Sequence, residues 1–287
     1  MGCDDPAIKD ALTDHLQNTI EALRGKHVVV GKVTNLKIDN IPFWSKGDLN
    51  GPPDALLSIA DRDAILVRAG LPASPVIFSE ADCPSLRRSD QGCNYLTAAP
   101  LPLTPPFPDA LVRGFLAVDV TVQGETYRVF NTHLEQRLLA PSLPLTRLLQ
   151  VGQAEELVRT ALGAWDRKKK LIVVGDMNSD PRDRILAPPP DPYPTPYEIF
   201  MFYGFTDTWL LRPHANPGQT RCQAEDLANR RTELYERIDM IFSLPAPSHV
   251  LNMKILGNTM GDKTRPPGHG GLWPSDHSGL AAKLKYH

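Results

Sequence analysis

The stretch spanning residues 171–181, LIVVGDMNSDP, constrains the chain more than any other. Four successive apolar residues, Leu171 to Val174, have the length and β-branched content of a buried strand. They run directly into Gly175, Asp176, Met177, Asn178, Ser179, Asp180 and Pro181. A carboxylate, an amide and a hydroxyl therefore stand at the end of a rigid element. α/β proteins place ligand chemistry at such ends, because the strand fixes the groups and the loop leaves them accessible. Gly, Asp, Asn and Pro are also ordinary turn residues, so the rest of the chain decides between a site and a turn.

With 287 residues the chain is long enough to bury a sizeable core. Its 41% hydrophobic and 22% charged residues are those of a globular protein. A formal net charge of −2 supplies no global attraction to nucleic acid or anionic membranes. An anionic ligand would need local cations or a metal. No apolar run of about 18 residues exists to span a membrane, and the opening MGCDDPAIKD has neither the basic nor the apolar region of a signal peptide. Cys3, Cys83, Cys93 and Cys222 lack CxxC spacing, which argues against a structural zinc site. Cys83 and Cys93 bracket a short polar loop; a disulfide and two buried thiols both fit that spacing.

Read in order, the chain predicts a helix over 7–23, with Ile8, Leu12, Leu16, Ile20 and Leu23 on one stripe and Gly25 as its stop. Strands follow at 28–33 and 64–67, with a polar loop over 35–53 between them and a further short strand at 76–78. A proline tract (100–108) precedes a hairpin, 115–122 and 127–131, turning at Gln123-Gly124-Glu125. The strongest helical pattern covers 145–165, where Leu148, Leu149, Val151, Ala154, Leu157, Val158, Ala161, Leu162 and Trp165 share a face. A second proline tract (188–196) leads into a short helix ending near Tyr203, and strands are expected at 238–242, 250–256 and 279–284. Helices alternate with many short strands and there is no internal repeat. The pattern predicts one α/β domain over 1–287 with two packed sheets, since several strands come as hairpins.

Four polar clusters lie at strand ends: Asn131-Thr132-His133-Leu134-Glu135, Gly175-Asp176-Met177-Asn178, Arg237-Ile238-Asp239 and Ser275-Asp276-His277. A single His such as His133 is commonly a hydrogen-bonded structural residue, and Asp276-His277 could form a plain turn. Asp239 is different, because it sits among Ile and Met, and a buried carboxylate must be paired or hydrogen-bonded. A histidine that gains a proton is its natural partner, which suggests an Asp239–His277 pair with Asp276 facing a cation.

The set NTHLE, GDMNSDP, ERIDMIF and WPSDHSG resembles, in order and spacing, the endonuclease/exonuclease/phosphatase (DNase I-like) superfamily over residues 28–287. That resemblance implies a four-layer α/β sandwich with two packed mixed β-sheets. It also implies a divalent cation, Mg2+ or Mn2+, and hydrolysis of a phosphate ester by activated water. By motif, Asp176 would hold or activate the water, and Asn178 would orient the phosphate oxygens. His277, positioned by Asp239, would act as base or charge stabiliser. Asp276, together with Asp176, would ligate the metal. His133 would donate toward the phosphate, Asn131 would help shape the site, and Asp61 or Asp63 would orient His133. Such chemistry is mostly positioning and cationic stabilisation of charge on the phosphoryl oxygens.

Members of the superfamily normally open with a strand carrying an Asn and a second strand ending in Gln-Glu, whose Glu is a principal metal ligand. This sequence matches neither, and Glu21 falls inside the predicted helix, so the resemblance implies an N-terminally shortened member lacking the first strands. Three functional expectations follow. The first is a metal-dependent phosphodiesterase or phosphomonoesterase. The second is a catalytically impaired or truncated homologue that at most binds phosphorylated ligands. A zinc hydrolase is the weaker third, for want of HExxH-type spacing. The implied partner is a phosphate ester, nucleic acid included, and the implied state is a monomer. Arg230, Arg231 and Arg237 are the cations that a nucleic acid would meet, though a salt-bridged solvated face accounts for them equally. Bacterial members sharing DRDAILVR and GLWPSDHSG are often exported, which would make Cys83–Cys93 a disulfide.

Overall fold

β-branched residues crowd the region from His27 to Arg68, and the longest strands form there. The computed structural model describes residues 14–44, 51–85, 87–100, 110–136, 144–183, 193–212, 216–264 and 271–287. Two compact units divide the chain, residues 1–126 and 127–287.

In the first unit a short helix, His15–Ala22, is capped by Asp14, whose side chain accepts from the Gln17 amide. β1 (His27–Phe43) and β2 (Ala55–Arg68) follow as an antiparallel pair. The polar stretch expected to be a loop from residue 35 is strand as far as Phe43. The reason is its partner: β2 runs the full length, placing Ala55 opposite Phe43, and three register shifts absorb the misfit. Alternate residues Gly31, Val33 and Asn35 are buried, so Asn35 is an inward-facing polar residue rather than a loop residue.

Four short strands come next: β3 (Ala73–Pro75), β4 (Arg88–Ser89), β5 (Gly92–Asn94) and β6 (Ala99–Pro100). β7 (Ala110–Leu111) pairs with β6, and β8 (Gly114–Val122) pairs antiparallel with both β3 and β5. The strand expected at 76–78 forms three residues earlier, as β3. Phe78 instead turns inward and packs edge-to-face with Phe115, ring centres 5.2 Å apart, and Tyr95 lies 5.2 Å from the same ring. A disulfide joins Cys83 to Cys93 in this core. The turn expected at Gln123-Gly124 is formed, with φ of 53° and 84°, the two left-handed residues of a type I′ turn.

The second unit is built on β9 (Glu125–His133), β10 (Lys170–Asp176), β11 (Thr206–Asp207) and β12 (Asp239–Leu244). Their order is β9-β10-β12-β11, with β9 parallel to β10 and the other pairs antiparallel. The helix Pro144–Gly163 provides the crossover from β9 to its parallel neighbour. It buries Ala154, Leu157, Val158 and Ala161 as the pattern predicts, but Leu148 is exposed while Gln150 and Gln153 are buried. A second helix, Pro196–Phe202, begins in a capping box of Thr195 and Glu198 with Pro196 in its first turn. Its Phe200 stacks on Phe242 of β12, ring centres 4.4 Å apart. β13 (His249–Leu256) and β14 (Gly279–Lys285) close the chain as an antiparallel pair. Residues 101–109 and 184–192, most of the two proline tracts, lie outside the described residues.

The chain is thus α/β with mixed and antiparallel sheets. Among the described residues no helix is long and apolar enough to cross a membrane.

Candidate active site

Strand register assembles the site. Asp176, the last residue of β10, stands opposite His133 on β9 and opposite Asp239 on β12. His133 and Asp176 end two parallel strands, and Asp239 starts the antiparallel one, so three chemically active side chains reach one level of one sheet edge. That level depends on Gly175. Its φ is +140°, and a Cβ there would lie 1.9 Å from the Thr132 carbonyl oxygen. No other residue fits between the strands at that point.

The loop after β10 is tied back to its neighbours. Leu134 N–H donates to the Asp176 carbonyl and Met177 N–H donates to that of Ile238, at 3.0 and 2.8 Å. Asn178 adopts a left-handed φ of 47°, and its backbone N–H donates to Asp176 Oδ1 at 2.7 Å. The buried Asn178 side chain donates from Nδ2 to the Leu134 carbonyl at 2.9 Å. Asn178 therefore holds together the loops that follow β9 and β10. Asn131 lies two residues before His133, on the same face of β9 and opposite Val174.

His277 arrives from another segment. Its Nδ1 is 2.9 Å from Asp239 Oδ2, the pair expected from the sequence. His133 Nε2 lies 3.4 Å from Asp176 Oδ2. Asp61 and Asp63, expected to orient His133, have other partners: Arg113 Nη1 donates to Asp61 and Asn35 Nδ2 to Asp63, at 3.1 and 2.8 Å. Within the second unit, the carboxylate beside His133 is Asp176.

Electrostatics couple these groups. Burial pushes the Asp176 carboxyl up to about 7, and the neighbouring Asp239 charge adds to the rise. Burial pulls His277 down, but the hydrogen bond and charge of Asp239, with Asp176 and Asp276 behind it, leave its pKa raised. The imidazole is thereby held toward its protonated form while one nearby carboxyl is poised close to neutrality.

Asp176, Asp239 and His277 each offer one ligand atom, all within 4.8 Å of one another. Two carboxylates that repel each other are the donor set a hard divalent cation relieves. The residues present therefore fit a metal, with the two carboxylates as holders and His277 Nδ1 engaged by Asp239. Asp276, expected to ligate the metal together with Asp176, stands at the rim: its side chain is 58% exposed, and Oδ2 is 4.0 Å from His277 Nε2.

Sequence reasoning missed the residues that fix this arrangement. Gln150 Nε2 donates to the carbonyls of Asn178 and Glu135, at 2.6 and 3.0 Å, and Gln153 Oε1 accepts from Glu135 N–H at 2.7 Å. Two amides three residues apart on the apolar side of a helix were the available signal. Thr220 Oγ1 accepts from the backbone of Ile238 and Asp239 at 3.3 and 3.2 Å, and its carbonyl accepts from Ser278 N–H at 2.7 Å. It thereby joins the two segments that bring Asp239 and His277 together.

Of the three arginines expected to meet nucleic acid, Arg237 is buried and donates to Asp207 at 2.7 Å. It is structural. Arg230 and Arg231 are exposed and line an open cleft of about 730 Å³ with Glu233 and Met260.

No protein-family profile matches the chain, and no curated protein does. Solved structures do match. An endonuclease/exonuclease/phosphatase family protein from Bacteroides thetaiotaomicron is 18% identical, with a TM-score of 0.56 over 95% of this chain and 79% of that one. A mannosyl-6-phosphatase from the same organism is 18% identical, with a TM-score of 0.56 over 94% of this chain and 81% of that one. A truncated TDP2 from Caenorhabditis elegans is 15% identical, with a TM-score of 0.50 over 96% and 81%. The chain has the endonuclease/exonuclease/phosphatase, DNase I-like fold.

Proposed function

We propose that the protein is a metal-dependent phosphoesterase. The observation that carries this reading is the convergence of His133, Asp176 and Asp239 at one level of three neighbouring strands, with His277 hydrogen-bonded to Asp239. The fold is shared with a sugar phosphatase, which supports the reading.

In this site Asp239 favours the protonated form of His277 and turns its ring, so that Nε2–H can donate to a phosphoryl oxygen as negative charge grows there. Asp176, at the end of its strand opposite both His133 and Asp239, is placed to hold and activate the attacking water. His133, beside Asp176, donates toward the phosphate. Asn178 holds the Asp176 loop, and Asn131 shapes the same face. Mg2+ or Mn2+, held by Asp176 and Asp239 with Asp276 at the rim, would neutralise phosphoryl charge and make water a stronger nucleophile. Substrates are phosphate esters, with nucleic acid among the candidates, taken by a monomer.

The test is hydrolysis of bis-p-nitrophenyl phosphate in the presence of Mg2+ or Mn2+ by the native chain, His277→Ala and His133→Ala. Loss of about 10²-fold or more in His277→Ala is expected. Turnover that His277→Ala leaves intact would overturn the assignment. Binding of inorganic phosphate without turnover would instead support an impaired homologue that holds phosphorylated ligands.

A further inference from the structure

Arg221 belongs to the same site and has no part in the four motifs. Its backbone forms antiparallel bridges with Glu236 on one side and His277 on the other. Residues directly opposite in antiparallel pairs point to the same face, so the side chains of Glu236, Arg221 and His277 share one. Two further observations agree. Arg221 Nη1 lies 3.1 Å from Glu236 Oε2, and the charges of Arg221 and Asp176 act on each other. The preceding residue, Thr220, is the one locked to both Asp239 and Ser278, so the position of Arg221 beside the carboxylates is fixed by the backbone.

The guanidinium differs from that of Arg237 in what it can do. Arg237 is 6% exposed in its side chain and committed to Asp207, whereas Arg221 is 31% exposed and anchored through one nitrogen. Glu236 engages Nη1, and the guanidinium carries further N–H donors beyond that nitrogen. A planar guanidinium supplies a permanent positive charge and a fork of donors matched to phosphate oxygens. Glu236 fixes the direction of that fork.

We propose that Arg221 is a substrate-binding residue, its guanidinium taking a non-bridging oxygen of the phosphoryl group bound beside Asp176, Asp239 and His277. The proposal rests on the phosphoesterase reading above and names the group that receives the phosphoryl oxygens.

The test uses the full chain with Arg221→Ala, Arg221→Lys and Glu236→Gln. Each is assayed on p-nitrophenyl phosphate and bis-p-nitrophenyl phosphate, and titrated with inorganic phosphate by calorimetry. Arg221→Ala should lower kcat/KM by about 10²-fold and weaken phosphate binding, with Arg221→Lys recovering part of both. Glu236→Gln should raise KM while changing kcat little. The ester that suffers the larger loss identifies whether a dianionic monoester or a monoanionic diester is the natural source of the phosphoryl group. If Arg221→Ala does not fold, Arg221→Lys carries the test alone, with a smaller loss expected on the same readouts. Arg221 variants that match the native chain in turnover and phosphate affinity, while His277→Ala is inactive, would overturn the inference and leave the phosphoesterase reading standing. A native chain that hydrolyses neither ester fails the reading; phosphate binding that vanishes in Arg221→Ala would still support the role of Arg221. Absence of phosphate binding in the native chain would overturn both.

Discussion

Each unit of the molecule holds a pair of neighbouring carboxylates, and the two pairs are answered in opposite ways. In the first unit Asp61 and Asp63 sit two residues apart on β2. Asp61 is met by the permanently charged Arg113 and Asp63 by the neutral amide of Asn35. In the second unit Asp176 and Asp239 face each other across two strands, and histidines stand beside both. Burial lifts one carboxyl of each pair, Asp63 to about 6 and Asp176 to about 7. Arg and Asn do not change charge near neutral pH, so neither partner can exchange a proton with the first pair. A histidine can take and release a proton, so the second pair can do chemistry. The nature of the partner, rather than the burial of the acid, is what differs between the two pairs.

The comparison can be broken most severely at Asp239. Asp239→Asn keeps the shape but removes the charge that raises the His277 pKa. Hydrolysis should fall by about 10²–10⁴-fold, and the His277 pKa, followed by NMR titration, should drop. An unchanged rate would place Asp239 with the structural acids. Next in size is Gly175→Ala, whose methyl group would collide with the Thr132 carbonyl. A loss of about 3 kcal/mol or more is expected in urea unfolding, with the Asp176 level disturbed.

Smaller effects sharpen the first unit. Replacing Cys83 and Cys93 by Ser removes a disulfide across a sequence separation of 10 and should cost about 2–4 kcal/mol, read from denaturant midpoints with and without the bond. Smallest is Asp63→Asn. Because its folded pKa of about 6 lies above the unfolded 3.8, the native chain binds the extra proton. Stability from this group therefore falls as pH rises from about 4 to about 6 and is flat above. Asp63→Asn should flatten that slope and gain on the order of 1–2 kcal/mol at pH 7.5. A slope that persists in the variant would assign it to another group.

Much of this was legible in the sequence, for identifiable reasons. The apolar run before Gly175, the helical face around Leu157 and the short helix ending near Tyr203 are local patterns, and local patterns survive into the fold. The Asp239–His277 pair was also legible, since a carboxylate amid Ile and Met demands a partner. What escaped depends on distant pairing. The strand through residue 43 exists because β2 runs beside it, and nothing within its own polar residues says so. Gln150 and Gln153 read as interruptions of an apolar face until the loops they bind are in place. Arg221 falls in a segment without a strand pattern, and its place is set by Thr220, Glu236 and His277 around it.

The central claim is that the second pair of carboxylates holds a cation and serves phosphate-ester hydrolysis. Turnover of bis-p-nitrophenyl phosphate by the native chain, before and after EDTA and again after Mg2+ or Mn2+ is restored, tests it most directly. The account predicts turnover that EDTA abolishes and the added cation restores. Turnover indifferent to EDTA, or none at any cation concentration, would contradict it.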